Sequence, residues 1–555
     1  MELQDLSIDP DTIADPNLRR CIVGLLNIVQ QLREDNARLR TENGRLRDEV
    51  ARLKGEQGRP NVPPNRPASP PRDHSSERRR KEPKDRTLKR AAIEVDRTVP
   101  CPVDRATLPP DAEFKGTETK VVQDVVLRRD NIAFAREKFY SPSLGKTFYG
   151  PLPAGYAGYH FGPGVRSLVL VLYYATGASE PKILELLTHV GVQLSAGEIS
   201  NLVIHDVQAF HDEKAAVHKA GLESSPWQHI DDTSTRIDGV GHYCHLVGNP
   251  LFSIYSTQPA KDRLTVIDVL RGQDGHRFRV NDEAVARAAA LGVPGGHLAY
   301  FQRLPWDVEL DAAAFTAAFE ATLSWVGVQA RKKLYEAASM AAYHAQTAMP
   351  VVRTLLGDDA GQFDALTETR GLCWIHDGRH YAKLTPFLPT FQTELDAFQD
   401  RFWDFYRELR AYRAAPSAAE ATRLSAAFDV LFDTQPTYAA LAARIASTRA
   451  NKGELLLVLE HPELPLHNNA AELDARARVR KRDVSFGPRT TAGARAWDTM
   501  QSLVATAKKL GVNVYEYVAD RVRGLGEIPP LAQVIAARAA EMDLGASWRL
   551  PTPSG

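Results

Sequence analysis

Three short β-type runs, a helical stretch and a fourth run ending in aspartate follow one another in mid-chain, and few folds accommodate that order. Trp227 to Ile237, His242 to Gly248 and Leu251 to Thr257 are separated by Gly, Asn and Pro, the pattern of an antiparallel meander. Helical segments continue to about Ala348, and Val351 to Leu356 and Gly371 to Ile375 read as two further strands on either side of a short helix. The first run carries Asp231-Asp232-Thr233 and the fourth ends at Gly357-Asp358-Asp359, so carboxylates stand at strand ends, where they can converge. A third acid closes His467-Asn468-Asn469-Ala470-Ala471-Glu472, opening a helix that runs on as Leu473 to Arg480. Taken singly, an aspartate at a strand end is usually a turn or cap residue, and Glu472 three residues after Asn469 has capping-box spacing. The joint order of the three is what points to chemistry.

That order is the one found in a ribonuclease-H-like mixed sheet, where an early-strand Asp, a fourth-strand Asp and an acid from a late helix meet. Hard oxygen ligands suit Mg²⁺ or Mn²⁺. Two such ions roughly 4 Å apart can activate the attacking oxygen and stabilise the leaving one in phosphodiester displacement. The sequence therefore predicts a pair of divalent ions held by Asp231, Asp358 and Glu472, and DNA as substrate.

The flanks predict a multidomain α/β chain, since 555 residues exceed a single core. Ile22, Val29, Asn36, Asn43 and Val50 recur every seven residues, each followed three later by Leu25, Leu32, Leu39, Leu46 or Leu53. These are heptad positions a and d over 17–54, and they predict a parallel coiled coil and a homodimer; the alternative is an amphipathic helix docked on its own chain. Residues 55–98 read as a disordered linker in which ten basic residues oppose four acidic ones between Arg66 and Arg90. Residues 99–160 read as a small irregular module with a β-type run at Lys120 to Leu127. Residues 161–220 read as a helical, helix-turn-helix-like region, in which Ser195 and Glu198 cap the second helix. The core then spans 221–385, with an insert near 281–345. A helical insertion over 386–460 carries Phe391, Leu395, Phe398, Phe402 and Leu409 on one face; core completion follows over 461–525, and a tail over 526–555.

Composition excludes several classes. No apolar run is long enough to span a bilayer, and Met1 to Pro16 lacks the basic start and apolar stretch of a secretory signal, so a cytoplasmic, nucleoid-associated protein is expected. Four scattered cysteines provide neither a disulfide framework nor a CxxC zinc pair. Ser143-Leu144-Gly145-Lys146-Thr147 ends like a phosphate-binding loop but has Tyr140 where the first Gly belongs. Cys373 and His376 form the nearest Cys/His pair, without any oxyanion motif.

The chain resembles the insertion-sequence-66 family of bacterial DDE transposases in four motifs. Asp231-Asp232-Thr233 corresponds to its Asp-Glu-Thr, and Asp358-Asp359-Ala360-Gly361-Gln362-Phe363 to its Asp-Gly-Tyr-x-x-Tyr, which favours Asp358 over Asp359. Cys373-Trp374-Ile375-His376-Asp377-Gly378-Arg379 matches Cys-Trp-x-His-x-x-Arg, and His467 to Arg476 matches Asp-Asn-Asn-x-x-Glu-Arg-x-x-Arg. The resemblance implies cleavage of insertion-sequence ends and strand transfer to target DNA. It places His376, Arg379, Asn468 and Asn469 near DNA or behind the metal ligands, and the positive charges of Arg476, Arg480, Lys481 and Arg482 are expected on phosphates. It also supplies a leucine zipper and a zinc module, but Val103 and Asp104 stand where a second Cys belongs, which argues against zinc. His467 and Leu473 replace an Asp and an Arg beside the third acid, marking a divergent subgroup and prompting the rival reading of a catalytically inactive, dimeric DNA-binding protein derived from a transposase.

Overall fold

In the computed structural model, which describes residues 10–53, 94–153, 155–205, 207–273 and 275–549, the first long element is α1 (Pro16–Leu53), a helix of 38 residues. One face docks on the chain's own helical insertion. Asn27 donates to the Thr437 carbonyl at 2.9 Å and accepts from the Ala439 amide at 2.8 Å. Gln30 accepts from the Phe387 amide at 2.8 Å, and the Arg33 guanidinium lies 3.4 Å over the Phe387 ring. The heptad row faces elsewhere: Leu25, Leu32, Leu39 and Leu46 are each more than half exposed. The basic tract Arg66 to Arg90 lies outside the described residues.

Residues 94–137 carry no strand, and the expected run at Lys120 to Leu127 is corrected: Val122, Val125 and Val126 stand in solvent, with no partner strand among the described residues to complete a ladder. Gly145 of the Gly-Lys-Thr sequence closes the turn of a hairpin between β1 (Lys138–Ser141) and β2 (Lys146–Tyr149), and Lys146 and Thr147 lie in β2. Four helices follow: α2 (Pro163–Tyr174), α3 (Glu180–His189), α4 (Ala196–Ile204) and α5 (Gln208–Glu223). The Ser195 hydroxyl and the Glu198 carboxylate make a reciprocal capping box on α4, which stops at Ile204.

The central sheet has five strands in the order β5-β4-β3-β8-β9. β3 (Trp227–Ile237), β4 (Val240–Asn249) and β5 (Phe252–Gln258) form an antiparallel meander. After α6 (Arg263–Arg271), the insert comprises β6 (Arg277–Phe278), α7 (Asp282–Ala290), α8 (Gly295–Phe301), β7 (Leu310–Asp311), α9 (Ala312–Leu323) and α10 (Val328–His344), packed around its own apolar cluster that includes Phe278, Phe315 and Leu334. β8 (Thr354–Gly357) then pairs parallel with β3, and β9 (Thr369–Leu372) parallel with β8. Trp374 and Ile375, expected to finish a strand, instead open α11 (Trp374–Ala382). The Trp374 amide has left the ladder and donates to the Leu466 carbonyl at 3.0 Å, so the strand ends at Leu372.

α12 (Pro389–Ala414), α13 (Ala418–Phe432), α14 (Ala439–Ala450) and α15 (Lys452–Leu455) make the helical insertion, with the Phe391-to-Leu409 stripe buried as its core. The chain ends in α16 (Asn469–Ser485), α17 (Thr491–Lys509), α18 (Val514–Arg523) and α19 (Leu531–Met542). The expected tail is corrected over its described part: Leu531 and Ile535 are buried in the main core, and the Trp227 indole donates to the Leu544 carbonyl at 2.7 Å.

β5 is an edge strand, and an edge exposes unpaired amides. Asp498, Ser502 and Thr506, four residues apart on one face of α17, satisfy the amides of Thr257, Tyr255 and Ser253 at 2.6, 2.9 and 3.1 Å. Asp498 also accepts from the buried Arg478 of α16 at 2.8 Å, which locks α16 to the same edge. Asp498→Ala should therefore leave a buried guanidinium without its carboxylate and lower the unfolding free energy by ~3–5 kcal/mol, read by urea denaturation.

Candidate active site

The register of the sheet sets the first two acids side by side. His229 pairs with Leu356, so two residues further along each parallel strand Asp231 and Asp358 stand at neighbouring positions. Adjacent strands are about 4.8 Å apart. Gly357 keeps the two strands close here: a Cβ would come within 3.2 Å of the Ile230 side chain and 3.3 Å of its carbonyl, tighter than ordinary contact. Along β3, burial ends after Ile230, and Asp231 is the first residue to emerge.

Glu472 arrives from α16. Asn468, fully buried, donates through its amide nitrogen to the Ile230 carbonyl at 2.8 Å, and its amide oxygen lies 2.8 Å from His229 Nδ1. Burial pushes His229 down to about 3, so its ring is neutral and can donate from Nδ1 to that oxygen. The Asn468 backbone amide meets Cys373 Sγ at 3.2 Å. One turn on, the Glu472 carboxylate lies 2.9 Å from Arg379 Nη2 and 3.7 Å from His376 Nδ1, both on α11. Glu472 makes no reciprocal cap: the N-cap is Asn468, whose side chain caps nothing.

Electrostatics place the three acids in one field. Burial, then the charges of Asp358, Asp232 and Glu472, push Asp231 up to about 7, against the 2.8 Å donation it receives from the Asp232 amide. Asp359 is more exposed and lies 3.6 Å from His380, on the other side of the acid turn. Asp232 is held separately, accepting from Gln362 at 2.8 Å with Lys261 at 3.8 Å. Gln362 lies within a motif already singled out, whereas Lys261 and His229 carry no sequence signal of their own and become visible only through strand pairing.

The buried Glu472 Oε1 has no hydrogen-bond partner, and the acids around Asp231 are not fully compensated, a set of hard oxygens that fits a divalent cation. Among the described residues, the three side chains whose ligand atoms lie within 4.8 Å of one another are Cys373, His376 and Glu472, so Glu472 stands with α11 rather than within that distance of both aspartates. Burial raises the Cys373 thiol to about 11, so it stays protonated and makes a poor ligand or nucleophile at neutral pH.

The expected DNA contacts separate into two groups. Arg480 is exposed, and Arg482 is part-exposed while holding the Ser234 carbonyl at 2.5 Å. Arg476 and Asn469 are partly buried. Asn468 and Lys481 are corrected, because neither reaches solvent. Asn468 is consumed by β3, and Lys481 Nζ donates to the Ala178 carbonyl at 2.8 Å and sits 3.5 Å over the Tyr173 ring, its pKa lowered to about 8 by burial. His376 and Arg379 face Glu472, behind the acids.

Among the described residues no helix is long and apolar enough to cross a membrane. The model of the transposase IS66 family matches residues 322–496, a span that carries Asp358, the Cys373-to-Arg379 motif and Glu472, with Asp231 lying before it. An uncharacterized protein, y4jO, of Sinorhizobium fredii (strain NBRC 101917 / NGR234) is 32% identical over 334 residues, covering 58% of this chain and 99% of the relative.

Asp231 carries a pH signature. Because its folded pKa of about 7 exceeds the ordinary aspartate value of 3.8, the folded protein keeps a proton that the unfolded chain releases between those values. Its contribution to stability is therefore present at low pH and lost as pH rises towards about 7, by at most ~1.4 kcal/mol per pH unit. In metal-free buffer, the stability difference between Asp231→Asn and wild type should widen in favour of the variant over that window, measured by urea denaturation at a series of pH values.

Proposed function

The chain belongs to the IS66 transposase family, and on that premise we propose that it is a DDE transposase with a ribonuclease-H-like core. It would cut the ends of an insertion sequence and join them to target DNA, in the cytoplasm at the nucleoid. The observation that carries this reading is the shared electrostatic field of Asp231, Asp358 and Glu472 on a sheet of order β5-β4-β3-β8-β9. Asp231 and Asp358 would hold two Mg²⁺ or Mn²⁺ ions together with Glu472. When bound, such ions lower the pKa of an attacking water and neutralise charge on the phosphate.

The chain's own groups supply the rest. Asp231 gives up its proton as a cation is taken up, so occupancy should rise with pH through about 7. Glu472 turns from Arg379 and His376 towards the aspartates, pivoting on a helix start that Asn468 keeps fixed. As Glu472 turns away, the Arg379 guanidinium would swing to a DNA phosphate. In the first step a water oxygen bonds to phosphorus as the bond to the 3′-oxygen breaks, and the freed 3′-oxygen takes up a proton. In the second, that hydroxyl bonds to a target phosphorus, gives up its proton, and displaces the target's own 3′-oxygen, so the number of phosphodiester bonds is conserved.

Dimerisation through the exposed a/d leucine row of α1 fits the same reading, because two element ends must be processed together. Leu32→Asp with Leu39→Asp should convert a dimer to a monomer in sedimentation while leaving the docked face of α1 intact.

The deciding experiment incubates the full chain with insertion-sequence end DNA and Mg²⁺ or Mn²⁺. Wild type should cleave or join, and Glu472→Gln, Asp231→Asn and Asp358→Asn should each lose activity by on the order of 100-fold or more. Products that survive Glu472→Gln would remove this residue from the mechanism. DNA retention without cleavage under any condition would favour the inactive, dimeric DNA-binding derivative.

A further inference from the structure

Where α16 ends, Phe486 stands in the left-handed region (φ 60°, ψ 9°) with its side chain 87% exposed. Both features are unfavourable for phenylalanine, whose backbone is strained there and whose ring gains nothing from solvent. The surroundings nevertheless enforce the conformation. The Phe486 amide donates to the Arg482 carbonyl at 2.7 Å, and the Asp238 amide, from the β3–β4 turn, donates to the Pro488 carbonyl at 3.2 Å. Between them Gly487 packs so closely that a Cβ would lie 3.3 Å from the Arg236 carbonyl. A strained residue held by its neighbours on three sides is a place to look for function.

The charge around the ring identifies its partner. Arg236, Arg480 and Arg489 are exposed, Arg482 is part-exposed, and Asp238 and Asp483 are the acids among them, leaving net positive charge. Phe486 follows Glu472 by 14 residues on one helix, about 21 Å along its axis. That is the length of roughly six base-pair steps. The exposed residues Leu473, Ala477, Arg480 and Val484 line the solvent face between them.

We propose that Phe486 is a base-stacking wedge: DNA lies along α16, with the reacting phosphate at the acids, and the Phe486 ring stacks on an unpaired base about six steps away. An aromatic ring flanked by cations is the common device for holding an unstacked base without reading its sequence. The proposal rests on the DNA-transposase reading, which supplies the substrate.

The test uses the full chain and a duplex with a frayed, unpaired end carrying 2-aminopurine, with gel retardation run alongside fluorescence. Binding by wild type should change 2-aminopurine emission. Phe486→Ala should weaken binding to this probe by on the order of 5- to 100-fold and, at saturating protein, lose most of the emission change, while Phe486→Trp restores it. Phe486→Gly, which relieves the left-handed strain, should melt no lower than wild type yet behave like Phe486→Ala with DNA. Equal emission changes for wild type and Phe486→Ala at equal occupancy would overturn the proposal. So would an altered sedimentation coefficient of DNA-free Phe486→Ala, which would assign the ring to a protein contact. Failure of wild type to retard any DNA would instead remove the transposase reading, and the wedge with it.

Discussion

The side chain of Asn468 bonds both to the carbonyl of Ile230 and to the ring of His229, although 238 residues separate it from Ile230. Ile230 immediately precedes Asp231, so this one buried amide fixes the start of α16 against the strand that carries the first acid. A buried amide must be satisfied on both its donor and its acceptor side, which makes the contact directional in a way that apolar packing is not. Two further ties keep the helix from swinging about that point. Asp474 accepts from Ser253 at 2.5 Å and from Lys509 at 3.2 Å, and Arg478 reaches Asp498 and Gln501 at 2.8 and 2.6 Å. Glu472 is thus positioned by residues that make no approach to the other acids.

The acids themselves are in tension. Carboxylates brought together away from water repel, and the rise of Asp231 to about 7 expresses that repulsion after the larger effect of burial. The Arg379 guanidinium offsets part of the charge on Glu472, and His376, kept below its ordinary pKa by burial, stays close to neutral beside it. Under the proposed reading, such a site would take up a cation, and Glu472 stays paired with Arg379 until it does.

Local signals in the sequence foretell local features. The long helix α1, the Ser195–Glu198 cap and the three runs of the meander each follow from spacing or propensity alone, and the structure contains them with shifted ends. The reading of Trp374 and Ile375 as strand did not survive, because an apolar pair looks the same at the end of a buried strand and at the start of a buried helix. Lys481 and Asn468 show the larger limit. A lysine in a basic helix and an asparagine before a helix both look solvent-facing in sequence, and only tertiary packing turned one onto Tyr173 and the other onto β3. The placing of Asp231 beside Asp358 was readable because strand order and register, rather than side-chain detail, determine it. The residues that hold Glu472 were not, since each of their partners lies on a distant segment.

Anomalous scattering from crystals of the full chain soaked in Mn²⁺ tests the central claim most directly. A peak held by the carboxylates of Asp231 and Asp358 is expected, with Glu472 turned towards it and away from Arg379. A peak held by Cys373, His376 and Glu472 alone, with Asp231 and Asp358 empty, would contradict it.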